Sequence, residues 1–395
     1  MPNPLFDALF APLAARATPL LILHDGNEIS GAAFFRMLAR MANALRALGV
    51  QPGDRVAVQL AKSPQALAAY GATIAIGAVF LPLNPAYTGA ELGYFLCNAT
   101  PRVFICDPAR AADLALIAAS HGARLLSMDG AGCGTLPDLM AQQPASFASV
   151  TRAPDDLAAI LYTSGTTGRS KGAMLTQANL LSNAQTLAQL WRFGPHDTLL
   201  HALPIFHTHG LFVASNTALV TGGKMIFLPS FEAETVLRLM PQASAMMGVP
   251  TFYTRLLDCP GLADAAKSMR LFISGSAPLL AETHAAFAAT TGHRILERYG
   301  MTETNMNTSN PYEGDRRAGT VGLPLPDVEL RLMADGAPVA TGAVGMIEVR
   351  GPNVFAGYWQ MPEKTVEELS AEGWFMTGDL ATRDADGYVT IVGRA

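Results

Sequence analysis

The chain has 395 residues, half of them apolar and only 15% charged, with a formal net charge of −5. That length can bury large cores, and an acidic balance without any basic run argues against nucleic acid as a partner. Cys97, Cys106, Cys133 and Cys259 form no C-x-x-C pair, and the N-terminus lacks the basic start of a signal peptide, so a reduced, cytoplasmic setting is expected.

In chain order, apolar periodicity predicts a helix over Ser30–Ala47, a strand over Arg55–Gln59, a buried helix over Pro64–Ile76 and a core strand over Val79–Leu83. The long uncharged stretch from Ser63 to Ala90 is alanine-rich and broken by Pro82 and Pro85, which disfavours a membrane span. Strands are predicted at Val103–Cys106 and Leu157–Tyr162, then a helix at Thr176–Trp191. Further strands fall at Leu199–Leu203, Met225–Leu228, Ala245–Val249, Leu271–Ser274 and Arg294–Leu296. Helices at Glu234–Leu239, Thr251–Leu257 and Leu279–Thr290 alternate with them. Such alternation defines the α/β class with mostly parallel sheets. After residue 304 glycine and proline become frequent, and strands at Val328–Leu332, Gly345–Val349 and Tyr388–Gly393 lack long helices between them. The expected division is therefore 1–304, two α/β subdomains, and 305–395, a β-barrel-like subdomain.

Five motifs bear on chemistry. Directly after the 157–162 strand comes Thr163-Ser164-Gly165-Thr166-Thr167-Gly168-Arg169-Ser170-Lys171-Gly172. Glycines admit backbone N–H groups close to phosphate oxygens, hydroxyls donate to them, and Lys171 adds a cation. The spacing is not that of the P-loop ATPases. In Glu297-Arg298-Tyr299-Gly300-Met301-Thr302-Glu303, a ring can stack on a base, Gly300 permits close approach, Thr302 can donate to a phosphate and Glu303 can hold Mg²⁺. Thr377-Gly378-Asp379-Leu380 offers a carboxylate for ribose hydroxyls. His207 and His209 lie in Leu203–Gly210 without a third metal ligand nearby in sequence, so an imidazole beside a carboxylate pocket is the better reading. Ser274-Gly275-Ser276-Ala277-Pro278 lacks the hydrolase nucleophile elbow and could wall an adenine pocket.

These blocks, in this order and along the whole chain, resemble the adenylate-forming enzymes: acyl-CoA synthetases, nonribosomal-peptide adenylation domains and firefly luciferase. The resemblance implies the fold of that family's large N-terminal domain, two α/β-layered subdomains plus a distorted β-barrel. It implies that Thr163, Ser164, Gly165, Thr166, Thr167, Gly168 and Lys171 cradle the β- and γ-phosphates of ATP. Gly275, Ser276, Ala277 and Tyr299 would line adenine, within a site that also includes Glu297, Arg298, Gly300 and Met301. Thr302 would touch the α-phosphate, Glu303 would bind Mg²⁺, and Asp379 with Arg394 would hold the ribose. Lys171, Thr302, Glu303 and His207 are the expected catalytic residues. The family's mobile C-terminal domain would follow residue 395, so this chain is expected to bind ATP, to adenylate poorly and scarcely to form thioesters.

Three segments, 199–215, 247–257 and 271–280, are similar to those of malonyl-CoA synthetases, which implies malonate and coenzyme A as the other substrates. A second carboxylate buried in the pocket needs a cation, and Arg255 is the expected one, assisted by His207 and Ser274, with Met301 at the pocket floor. Methylmalonate, acetate or propionate are the alternative acids. A non-catalytic ATP-binding protein is the alternative of a different class. An amino-acid substrate is disfavoured, because Phe206–Phe212 offers histidines where an acidic residue would be wanted.

Overall fold

The computed structural model describes residues 2–163 and 170–395. The chain forms two compact units, one of Met1–Leu181 with Pro204–His207 and Tyr358–Gln360, the other of Ser182–Leu203, Thr208–Gly357 and Met361–Ala395.

In the first unit β1 (Pro19–Ile22) and β2 (Glu28–Ser30) pair antiparallel and lead into the helix Gly31–Ala47, capped by the Ser30 side chain. The sheet that follows comprises β3 (Arg55–Gln59), β4 (Val79–Pro82), β5 (Val103–Cys106), β6 (Arg124–Ser127), β7 (Leu157–Tyr162) and β8 (Gly172–Thr176). Its order is β6-β5-β3-β4-β7-β8. All pairs are parallel except β7–β8. Every residue of β4 and β5 is buried, as the central strands of a sheet covered on both faces must be. The helix Pro64–Ala75 is buried along nearly its whole length, as its uncharged composition predicts. Helices that apolar periodicity does not predict include Gly89–Ala99, Ala111–Ser120 and Thr135–Ala141. The first starts with a capping box between Thr88 and Glu91, a signal that was legible.

The second unit holds β9 (Thr198–His201), β10 (Lys224–Phe227), β11 (Ala245–Gly248), β12 (Leu271–Ser274), β13 (Leu296–Met301), β14 (Asn305–Ser309) and β15 (Leu323–Pro324), ordered β15-β14-β13-β12-β11-β9-β10. Pairing is parallel from β10 to β13 and antiparallel beyond it. The strand expected at Arg294–Leu296 begins only at Leu296 and runs to Met301, because the preceding helix ends on the left-handed Gly292 and the chain needs the intervening residues to reach the sheet. A second, wholly antiparallel sheet is built from β16 (Glu329–Ala334), β17 (Ala337–Pro338), β18 (Gly345–Arg350), β19 (Phe375–Arg383) and β20 (Val389–Arg394), ordered β17-β16-β18-β19-β20.

The change of texture expected at residue 305 thus comes later. β14 pairs with β13, so residues 305–309 extend the first sheet of this unit and the antiparallel sheet starts near Glu329. Among the described residues, no helix is long and apolar enough to cross a membrane.

Candidate active site

In the first unit the hairpin of β7 and β8 presents the Thr163–Lys171 loop. Its neck is closed by the Thr163 N–H, which donates to the Lys171 carbonyl at 2.9 Å, one step beyond the paired Tyr162 and Gly172. The expected phosphate ligands Ser164, Gly165, Thr166, Thr167 and Gly168 lie outside the described residues. Lys171 holds its ammonium 4.4 Å from the centroid of the buried Tyr358 ring. Tyr358 is placed by a β-bridge to Ala173, and the Trp359 N–H donates to the Gly172 carbonyl at 2.8 Å. Ser170 is tied by the Tyr94 hydroxyl, 2.7 Å from its carbonyl oxygen. His207 is exposed, with its ring 4.3 Å from that of Phe206, and loss of surrounding water lowers its imidazole pKa.

The second unit brings Tyr299, Asp379 and Arg394 together. Asp379 and Arg394 are register partners on β19 and β20, and the Arg394 Nε–H donates to Asp379 Oδ1 at 2.9 Å. Tyr299, near the end of β13, donates its hydroxyl to Asp379 Oδ2 at 2.6 Å. Burial, and next the Asp379 charge, push the phenol pKa well up, so it remains a donor. Gly378 has φ +76°, a left-handed turn that suits glycine just before the carboxylate.

Met301 ends β13, and the turn from there into β14 contains Thr302 and the buried Glu303. A residue the sequence reading missed holds this turn: the buried Asn353 side chain donates to the Thr304 carbonyl at 2.8 Å and lies 3.1 Å from that of Met306. The Phe355 N–H donates to the Glu303 carbonyl at 2.8 Å. Gly300 is explained by its own sheet, since a Cβ there would overlap the Asn305 carbonyl oxygen across the β13–β14 bulge. Glu297 faces a loop, accepting the Gly319 N–H at 3.1 Å, and burial pushes its carboxyl up to about 7.

Gly275, directly after Ser274 at the C-terminal end of β12, packs against the Arg298 guanidinium from the middle of β13. Ser274 and Arg298 are both buried, and among the described residues Ser274 Oγ and Arg298 Nε and Nη2 have no hydrogen-bond partner. Burial lowers the Arg298 pKa to about 9, so it stays a cation at neutral pH. A Cβ on Gly275 would overlap this guanidinium. Ser276 has φ +71°, unusual for serine, with its Oγ 3.2 Å from Nδ1 of the buried His209. Ser276 and Ala277 are exposed. Arg255, the expected cation for a second carboxylate, is also exposed on the helix Pro250–Leu257, its guanidinium 5.5 Å from the Phe231 ring centroid.

No group of three or more His, Cys, Asp or Glu capable of holding a metal occurs among the described residues. A buried carboxylate such as Glu303 nevertheless fits Mg²⁺, which takes one or two protein carboxylates and fills its remaining positions with substrate phosphates and water.

The chain belongs to the AMP-binding enzymes, whose family model matches residues 13–359. Among individual proteins, it is 35% identical to a malonate–CoA ligase of Arabidopsis thaliana over 88% of this chain and 60% of that protein. It is 36% identical to a sulfoacetate–CoA ligase of Cupriavidus necator over 99% of this chain and 79% of that one. ATP-bound MatB from Rhodopseudomonas palustris superposes with a TM-score of 0.97 at 54% identity, covering 100% of this chain and 79% of its own. The chain thus spans 60% of the length of the Arabidopsis relative.

Proposed function

We propose that this chain serves the ATP-dependent activation of malonate, in which malonate and ATP give malonyl-adenylate and pyrophosphate and coenzyme A then displaces AMP to give malonyl-CoA. The observation that carries the choice of acid is the buried Arg298 guanidinium, packed against Gly275, whose Nε and Nη2 have no hydrogen-bond partner among the described residues. An unpaired buried cation is strongly disfavoured, so a matching anion is the natural occupant. Malonate brings a carboxylate to the far end of a very short acid, and a guanidinium fork matches it in two hydrogen bonds. The relatives named for malonate and for sulfoacetate, both dianions, support the same reading. Arg298 takes the role expected of Arg255, which remains a surface cation on the neighbouring helix.

The reactive carboxylate attacks the α-phosphorus of ATP, an oxygen–phosphorus bond forms, and the bond to pyrophosphate breaks. Lys171 would neutralise the polyphosphate, Thr302 would donate to the α-phosphate, and Asp379 with Arg394 would fix the ribose. Mg²⁺, held by Glu303, would neutralise charge on the phosphate oxygens. In the second half-reaction the thiol attacks the acyl carbonyl, AMP leaves and a proton is released. His207, neutral at pH 7 by virtue of its lowered pKa, would stand by the acyl group.

Calorimetry with non-hydrolysable malonyl-, methylmalonyl- and acetyl-adenylate mimics tests the proposal. A malonyl preference over acetyl of about tenfold or more supports it. Equal affinities would leave an adenylate site for some other acid. Binding of none would favour a protein without this activity.

A further inference from the structure

We propose that the Tyr299 hydroxyl is a positioning group for ribose recognition, acting through Asp379 and separately from any stacking by its ring. The inference rests on the nucleotide-site reading above and concerns a contact that reading does not need.

Asp379 and Arg394 belong to the antiparallel sheet of the second unit, whereas Tyr299 lies on β13 of the other sheet. The 2.6 Å hydrogen bond from Tyr299 to Asp379 therefore ties the two sheets at the carboxylate. Such a phenol–carboxylate bond is short and charge-assisted. Arg394 holds the other oxygen at 2.9 Å, and the Asp379 N–H turns back to Thr377 Oγ1 at 3.1 Å. Each carboxylate oxygen has a second lone pair. Fixed on both sides, Asp379 offers those remaining lone pairs in a set direction, as two vicinal hydroxyls require. The Asp379 side chain is 14% exposed, so it still reaches a ligand, while that of Arg394 is 53% exposed and is the weaker of the two constraints. Without the phenol, the carboxylate would keep, among the described residues, only this exposed partner and could rotate about its side-chain bonds.

The test compares ATP with 2′,3′-dideoxy-ATP on the wild-type chain and on Tyr299→Phe, Tyr299→Leu and Asp379→Asn, reading dissociation constants by calorimetry. Tyr299→Phe keeps the ring and removes only the hydroxyl. The expected result is that its ATP affinity falls roughly tenfold, the worth of one hydrogen bond to a charged group, while dideoxy-ATP binding is unchanged. The preference for ATP should collapse towards that of Asp379→Asn. Tyr299→Leu should weaken both nucleotides. An unchanged ATP preference in Tyr299→Phe would overturn the proposal, as would equal losses for both nucleotides, which mean a structural hydroxyl. Failure of the wild-type chain to distinguish the two nucleotides would refute the ribose assignment of Asp379 itself.

Discussion

Gly275 and Arg298 occupy one space: a Cβ on the glycine would overlap the arginine guanidinium. Glycine here makes room for a buried cation rather than for a special backbone conformation. Gly275→Ala should push the guanidinium aside and weaken malonyl-adenylate-mimic binding by about tenfold, with the acetyl mimic little affected. Calorimetry on the two mimics decides this, and equal weakening would place the strain in the adenine wall instead.

The Glu297 carboxyl, pushed up to about 7 from an ordinary 4.5, makes stability depend on pH in a defined direction. Between those values the folded chain keeps a proton that the unfolded chain has lost, so stability falls as pH rises through this window and levels off above it. The group contributes a loss of about 3 kcal/mol by pH 8. Glu297→Gln should abolish that share, leaving its Tm above the wild type at pH 8 and close to it at pH 4.5. Parallel pH profiles of Tm would contradict the assignment.

Asn353 satisfies buried carbonyls in the turn that bears Glu303. Asn353→Ala removes the side-chain donor to the Thr304 carbonyl, at about 1–3 kcal/mol, whereas the Met306 carbonyl keeps the Asn183 amide at 3.0 Å. The expected outcome is a lower Tm together with weaker Mg²⁺-dependent ATP binding. A lower Tm with unchanged ATP affinity would make the residue purely structural.

Lys171 rests on Tyr358. Tyr358→Phe retains the ring and should bind ATP normally. Tyr358→Leu should lose about tenfold in ATP affinity, the scale of a partly desolvated cation–π contact, while AMP, which lacks the β- and γ-phosphates, is bound as before. Equal losses for ATP and AMP would show that the effect is general.

The parallel core was legible because its strands are short apolar runs: β3, β5, β7 and β12 fall where periodicity placed them. Helices such as Ala111–Ser120 were missed because alanine-rich segments carry little amphipathic pattern. The site motifs could be read as local strings, but their partners could not. Tyr299 meets Asp379 across 80 residues, and Asn353 reaches Thr304 across 49. Burial was the hardest property to foresee. Arg255 and Arg298 look alike in sequence, yet one lies on a helix surface and the other is buried in mid-strand against Gly275.

The central claim, a buried cation reserved for the far carboxylate of malonate, is tested most directly by Arg298→Met. The variant keeps an unbranched, largely apolar side chain and removes the charge. Calorimetric titration of wild type and variant with the malonyl- and acetyl-adenylate mimics should show a malonyl preference in the wild type that vanishes in Arg298→Met, with acetyl-mimic affinity retained. A variant that still prefers the malonyl mimic as strongly as the wild type would contradict the account.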